Sequence, residues 1–168
     1  GVGTRTASIH NRPAYNSEVH AAGDAGLAPL TNAYIDAQLA DTILIVGANP
    51  YETQTNYFLN HMIPNLNGDS LDLKRSTFPG EAVAPGRIII MDPRRTISVA
   101  TAEAAAGKEN VLHLQIEPGT DIAVMNAIAR TVLERRWHDV AFIRERAEWQ
   151  TFEAYQRSSL GSDRDAAT

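Results

Sequence analysis

The chain has 168 residues, 43% of them hydrophobic, and no cysteine. That is enough to bury a core, either as one domain or, as its loop-like start suggests, as one slice of a larger protein. Disulfides, thiolate metal sites and iron–sulfur ligation by this segment are excluded. A net charge of −5 without a basic stripe argues against a nucleic-acid surface, and no apolar run approaches membrane-spanning length.

In chain order, residues 1–31 read as a loop segment of low apolar content. Within it His10, Asn11, Arg12, Tyr15, Asn16, Ser17, Glu18 and His20 crowd together, which fits either a solvated loop or a polar site. His10, Glu18 and His20 also suggest zinc, but no helix places two histidines one turn apart. Residues 16–25 predict a short helix, and residues 32–40 another, with Tyr34, Ile35 and Leu39 toward the core. The run Thr42-Ile43-Leu44-Ile45-Val46 predicts a strand ending at Gly47-Ala48-Asn49-Pro50-Tyr51-Glu52. Residues 52–62 follow as a helix that turns Tyr57, Phe58 and Met62, with Ile63 beyond, inward. Residues 65–86 hold turn formers and a charged patch, and read as a surface insertion. Arg87-Ile88-Ile89-Ile90-Met91 is a second strand, ending at Asp92-Pro93-Arg94-Arg95. Residues 96–106 are alanine-rich, helical by propensity, and stop at Gly107. A third strand starts at Val111-Leu112-His113-Leu114 and leads to Glu117-Pro118-Gly119-Thr120-Asp121. The last strong helix spans residues 120–136, capped by Thr120, with Asp121 in its first turn. Its apolar stripe is Ile122, Met125, Ile128, Ala129 and Val132. A shorter helix at residues 140–148 packs behind it, and residues 158–168 read as a disordered or truncated tail.

Continuous β-branched runs alternating with helical segments predict an α/β fold, a parallel sheet flanked by helices with strands buried on both faces. Val46, Met91 and Ile116 are expected to end neighbouring strands, and such sheets bind ligands beyond those ends. Each terminal cluster has chemistry to match. Gly47 allows a sharp turn, and the helix start after Pro50 offers unpaired N–H groups to an anion such as a pyrophosphate. The alternative is a generic turn with Asn49 as an ordinary helix cap. Asp92 suits a ribose diol and Arg94 a phosphate, although a turn broken by Pro93, with Asp92 capping the next helix, also explains them. Asp121 can accept the paired N–H donors of guanine, or serve only the helix dipole.

Taken together, Leu39-Ala40-Asp41, Gly47 to Glu52, Asp92-Pro93-Arg94 and Pro118-Gly119-Thr120-Asp121 resemble the molybdopterin oxidoreductases of the dimethyl-sulfoxide-reductase family. More narrowly, residues 10–20 and 50–58 look like those of arsenite oxidase catalytic subunits. The resemblance implies an internal fragment of a large subunit: residues 1–31 as a substrate and active-site loop segment, and residues 32–157 as part of a Rossmann-like domain binding molybdopterin guanine dinucleotide. It implies oxidation of arsenite to arsenate by oxo transfer at a bis(molybdopterin guanine dinucleotide) molybdenum centre. His10 and Glu18 would bind substrate, and Gly47, Asn49, Glu52, Asp92, Arg94, Gly119 and Asp121 would bind cofactor. The slot where many relatives place a metal ligand falls at Ala14, with Ser17 the nearest hydroxyl, so this chain is expected to ligate no metal. An Fe–S cluster held elsewhere in the subunit, a Rieske-type small subunit, a cytochrome c or blue copper acceptor and a periplasmic location are also implied. Formate dehydrogenase or nitrate reductase chemistry is the alternative within the family. A nicotinamide-dinucleotide domain is weakened by the absence of a third glycine after the first strand. A cofactor-free scaffold is the non-catalytic alternative.

Overall fold

The computed structural model of the protein describes residues 33–161. Its centre is a three-stranded parallel sheet in the order β1-β2-β3, formed by Thr42–Val46 (β1), Arg87–Met91 (β2) and Val111–Leu114 (β3). The three strands start where the sequence predicts. β3 ends at Leu114, two residues before the expected Ile116. Thr42 pairs with Arg87 through Val46 with Met91, and Ile88 with Val111 through Met91 with Leu114. This register puts Ile43, Ile88 and Val111 on one face, together with Ile45 and Ile90.

That face carries the core. Ile43, Ile45, Ile88 and Ile90 pack with Phe58, Met62, Leu66, Val99 and Ala102. The last two come from α6 (Ile97–Ala106), the helix that follows β2 and ends at Gly107 as expected. The opposite face differs from the prediction of strands buried on both sides. Leu44 is 44% and Leu112 50% exposed, and Thr42 and Val46 are exposed beside them. Continuous apolar character marks strands built for two covered faces, but it does not say which segment covers the second.

Helix α1 is Asp36–Leu39, shorter than predicted; Ala37 is its buried residue, while Tyr34 and Ile35 lie exposed before it. After β1 the single expected helix is instead a chain of short pieces. These are α2 (Pro50–Thr53), α3 (Thr55–Tyr57), a π-turn (Phe58–Met62) and α4 (Ile63–Leu66). Gln54 breaks the run with φ −141° and ψ 49°. Pro64 has no N–H to return to the preceding turn, and the backbone widens just ahead of it. Phe58 and Met62 are buried across that widened turn, as predicted.

Residues 65–86 are not a loose insertion. They contain α5 (Leu71–Thr77), and Asn65, Ser70 and Lys74 are all buried. Asn65 Nδ2 donates to Ala37 O at 2.8 Å and Ala40 O at 2.7 Å, and its Oδ1 accepts from Gly86 N–H at 3.0 Å. A Cβ on Gly86 would lie 2.7 Å from that Asn65 amide, so glycine is required for the approach. Lys74 Nζ donates to Ala40 O at 3.1 Å and Ala84 O at 2.9 Å. Turn-rich, charged composition predicted a surface segment because the partners of these polar groups are backbone carbonyls, which no composition reveals.

Beyond β3, α7 spans Asp121–Glu134, α8 Val140–Arg146 and α9 Trp149–Gly161, and α9 packs against both α7 and α8. The helix α9 carries residues 158–161, so the expected tail is helical there. The stripe on α7 is more open than predicted, with Ile122, Met125 and Ile128 exposed and Leu133 buried. Among the described residues no helix is long and apolar enough to cross a membrane.

Candidate functional site

The three strands end side by side, and the ladder extends one residue into the loops. Gly47 N–H donates to Met91 O at 2.9 Å, and Asp92 N–H to Leu114 O at 3.1 Å. Past β2 and β3 the loops are tied further. Gln115 Nε2 donates to Pro93 O at 3.2 Å, and His113 Nε2 lies 3.0 Å from Asp92 O. A carbonyl only accepts, so His113 carries its proton on Nε2. The first two polar clusters therefore leave from one edge of the sheet, as predicted, and the third follows from the same edge.

In the first loop Gly47 has φ +60° with nothing within 4 Å of a would-be Cβ, an open, left-handed turn that favours glycine. Asn49 stands at the N-cap of α2, but its side chain caps no N–H. Its Nδ2 donates instead to Glu52 Oε2 at 2.7 Å, and its Oδ1 accepts from Ser98 Oγ at 2.5 Å. The expectation of unpaired amides at this helix start is corrected. Pro50 has none, Tyr51 N–H donates to Ser98 Oγ at 3.0 Å, and those of Glu52 and Thr53 reach Asn49 O at 3.0 and 3.1 Å. The amides of Ala48 and Asn49, just upstream, have no acceptor among the described residues.

The second cluster divides its roles. Asp92 is 7% exposed and its Oδ1 accepts from Arg94 N–H at 2.8 Å, so it closes its own turn. It does not cap the next helix, since the N-cap of α6 is Thr96. Thr96 makes no side-chain cap either, and its buried Oγ1 has no hydrogen-bond partner among the described residues. Arg95 is committed to Glu103 through Nη1 at 2.8 Å and Nη2 at 2.5 Å. That bidentate bond raises the arginine pKa and holds the Glu103 carboxyl below the ordinary glutamate range. Arg94, exposed, has no acidic partner among the described residues.

In the third cluster Gly119 adopts φ +89° in a turn closed by Thr120 N–H to Glu117 O at 3.1 Å. Thr120 Oγ1 also donates to Glu117 O, at 2.7 Å, rather than capping α7 as predicted. Asp121 opens α7, half-buried, and its carboxylate has no partner among the described residues. No group of three or more potential metal-ligating side chains converges among those residues. His10, Glu18, Ala14, Ser17 and the helix expected at residues 16–25 lie outside them.

No family model matches the chain. It is 55% identical over 140 residues, 83% of its length, to the arsenite oxidase subunit AioA of Herminiimonas arsenicoxydans. It is 27% identical over 161 residues, 94% of its length, to the iodate reductase subunit IdrA of Pseudomonas sp. (strain SCT). Against the F420-dependent formate dehydrogenase subunit alpha of Methanocaldococcus jannaschii it is 31% identical over 123 residues, 73% of its length. The chain belongs to the molybdopterin oxidoreductases. It spans about a sixth of these relatives, the matches covering 17%, 16% and 15% of their lengths.

The donor set fits a dinucleotide of the kind a molybdopterin oxidoreductase carries. The Ala48 and Asn49 amides suit a phosphate, the Asp121 carboxylate suits the paired donors of guanine, and the Thr96 hydroxyl is a buried group without a hydrogen-bond partner among the described residues. Two residues of this region were not singled out from the sequence, Thr96 and Ser98. The only signal for them was two hydroxyls in the turn after Arg94-Arg95, which reads equally well as an ordinary helix start.

Proposed function

We propose that this chain is the part of an arsenite-oxidising subunit that holds one guanine dinucleotide of a bis(molybdopterin guanine dinucleotide) cofactor. The observation that carries the reading is the 55% identity to an arsenite oxidase subunit over 83% of the chain. The polar loops at one edge of a parallel sheet agree with it. When bound, the molybdenum cofactor supplies two-electron redox chemistry coupled to transfer of an oxygen atom.

The residues of the chain bind and orient. Gly47, Asn49 and Glu52 form the first wall, with amides for a phosphate. Asp92 accepts from the ribose through the oxygen not used by Arg94, and the Arg94 guanidinium answers phosphate charge. Gly119 sets the turn that presents Asp121 to the guanine edge. His10 donates to and Glu18 accepts from the neutral trihydroxide of arsenite, and the charge on Glu18 favours departure of anionic arsenate. Neither binds metal. The same reading implies an Fe–S cluster elsewhere in the subunit, a Rieske-type small subunit, and a cytochrome c or blue copper acceptor in the periplasm, which would supply the path for the electrons.

The test is made on the full-length subunit that contains this chain. Purified subunit should contain molybdenum and guanine nucleotide and oxidise arsenite. Absence of both cofactor components would leave the scaffold reading, and turnover of iodate or formate instead would reassign the substrate. Asp121→Asn should weaken cofactor retention by roughly 1–3 kcal/mol, the cost of an unpaired contact. His10→Ala and Glu18→Gln should raise KM or lower kcat at unchanged molybdenum content; normal kinetics in both would remove them from the site.

A further inference from the structure

The buried hydroxyl of Ser98 stands between two of the candidate clusters. It belongs to α6, which follows β2, yet both its hydrogen bonds go to the loop after β1 and the start of α2. Ser98 is fully buried. Its Oγ accepts from Tyr51 N–H at 3.0 Å and lies 2.5 Å from Asn49 Oδ1. An amide N–H only donates, so the single hydroxyl hydrogen of Ser98 remains for Asn49.

We propose that Ser98 is a positioning residue that fixes the side-chain amide of Asn49 with its oxygen inward and its nitrogen outward, so that Asn49 meets an anionic group of the dinucleotide with its amide donor rather than its carbonyl oxygen. The inference rests on the reading of this loop as a dinucleotide site. An Asn49 amide turned over would leave the Ser98 hydrogen without its acceptor. It would also set Oδ1 against the Glu52 carboxylate, which now accepts from Nδ2 at 2.7 Å. Both ends of the amide therefore select one orientation. In that orientation the second Nδ2 hydrogen has no acceptor among the described residues, like the neighbouring Ala48 and Asn49 amides. An inverted amide would present a carbonyl oxygen to phosphate, which repels it. Ser98 acts through Asn49, and it joins the first loop to the helix that starts the second.

The experiment uses the full-length, cofactor-loaded subunit with Ser98→Ala, Asn49→Ala and both together. Loss of molybdenum and of guanine nucleotide per subunit is followed in a fixed, mild urea concentration, and thermal midpoints are recorded alongside. Each single variant should lose cofactor roughly five- to thirtyfold faster, the scale of one unmade hydrogen bond. The double variant should lose it no faster than Asn49→Ala, because the two side chains work as one unit. Ser98→Thr, which keeps the hydroxyl, should recover most of the retention. A merely structural Ser98 would lower the thermal midpoint but give additive loss rates, and additivity overturns the proposal. So does wild-type retention in Ser98→Ala when Asn49→Ala loses cofactor faster. If Asn49→Ala itself retains cofactor normally, the reading of the loop as a dinucleotide site fails first and takes this inference with it. Should Ser98→Ala not be recovered, Ser98→Cys, similar in size but a poor hydrogen-bond partner, is judged by the same criteria.

Discussion

Several polar side chains are buried alongside the apolar core, among them Asn65, Ser70, Lys74 and Ser98. Asn65, itself buried, makes two donor bonds to the carbonyls of Ala37 and Ala40 at α1 and accepts from Gly86. Asn65→Ala leaves Ala37 O without its donor, while Ala40 O keeps Lys74 Nζ and Gly86 N–H keeps the Asn65 backbone carbonyl, and it should cost about 1–3 kcal/mol in the unfolding free energy of the full-length subunit. A change in unfolding free energy below about 0.5 kcal/mol in chemical denaturation, the scale of a surface substitution, would show that water replaces the amide. Lys74 works in the same way, its ammonium met chiefly by two carbonyls, since its nearest carboxylate, Asp41, is 3.8 Å away and 97% exposed. Neither residue was legible as structural in the sequence. An asparagine and a lysine in a turn-rich stretch look solvated until the chain folds back onto them.

At the scale of elements, strands were easier to read than helices. β1 and β2 begin and end where their β-branched runs do, because the turn residues on either side cannot continue a ladder. The helix after β1 breaks at Gln54 and widens before Pro64, two local departures that an apolar period does not reveal. Helix α6 has a side-chain tie at its start, the bidentate Arg95–Glu103 bond. The folded carboxyl of Glu103 is held below its ordinary pKa, chiefly by that hydrogen bond. Its stabilising contribution is therefore fully present above the unfolded glutamate value and is lost as pH falls through the lowered folded value. Thermal midpoints of the parent protein and Glu103→Gln, measured from pH 7 downward, should differ at neutral pH and converge in acid. A constant gap across that range would remove the ion pair from the stability of α6.

At the scale of the whole molecule, one face of the sheet is packed and the other is partly open among the described residues, with Met91 buried there but Leu44 and Leu112 exposed. Leu44 and Leu112 pair through Ile89 across that open face, and Ile122, Met125 and Ile128 add exposed apolar surface on α7. The relatives are about six times longer than the matched region, which covers 17% of the arsenite oxidase subunit, and parallel sheets are covered on both sides. Leu112→Lys in the full-length subunit should thus bury an unpaired charge and lower its stability by roughly 2–4 kcal/mol. An unchanged melting curve would mean that this face stays in water there.

The sequence by itself determined the strands, their parallel order and the family, because β-branched runs, turn formers and a few loop motifs are local signals. It also placed the polar clusters at strand ends, since a covalent chain cannot separate a loop from the strand it leaves. Only the tertiary structure decided that Ser98 holds Asn49, that Thr96 Oγ1 is buried without a partner among the described residues and that α2 has no amide to spare. The Ser98 bonds join residues nearly fifty positions apart, and all three facts depend on which of several chemically adequate partners lies within hydrogen-bond reach. Local pattern limits such choices, and packing makes them.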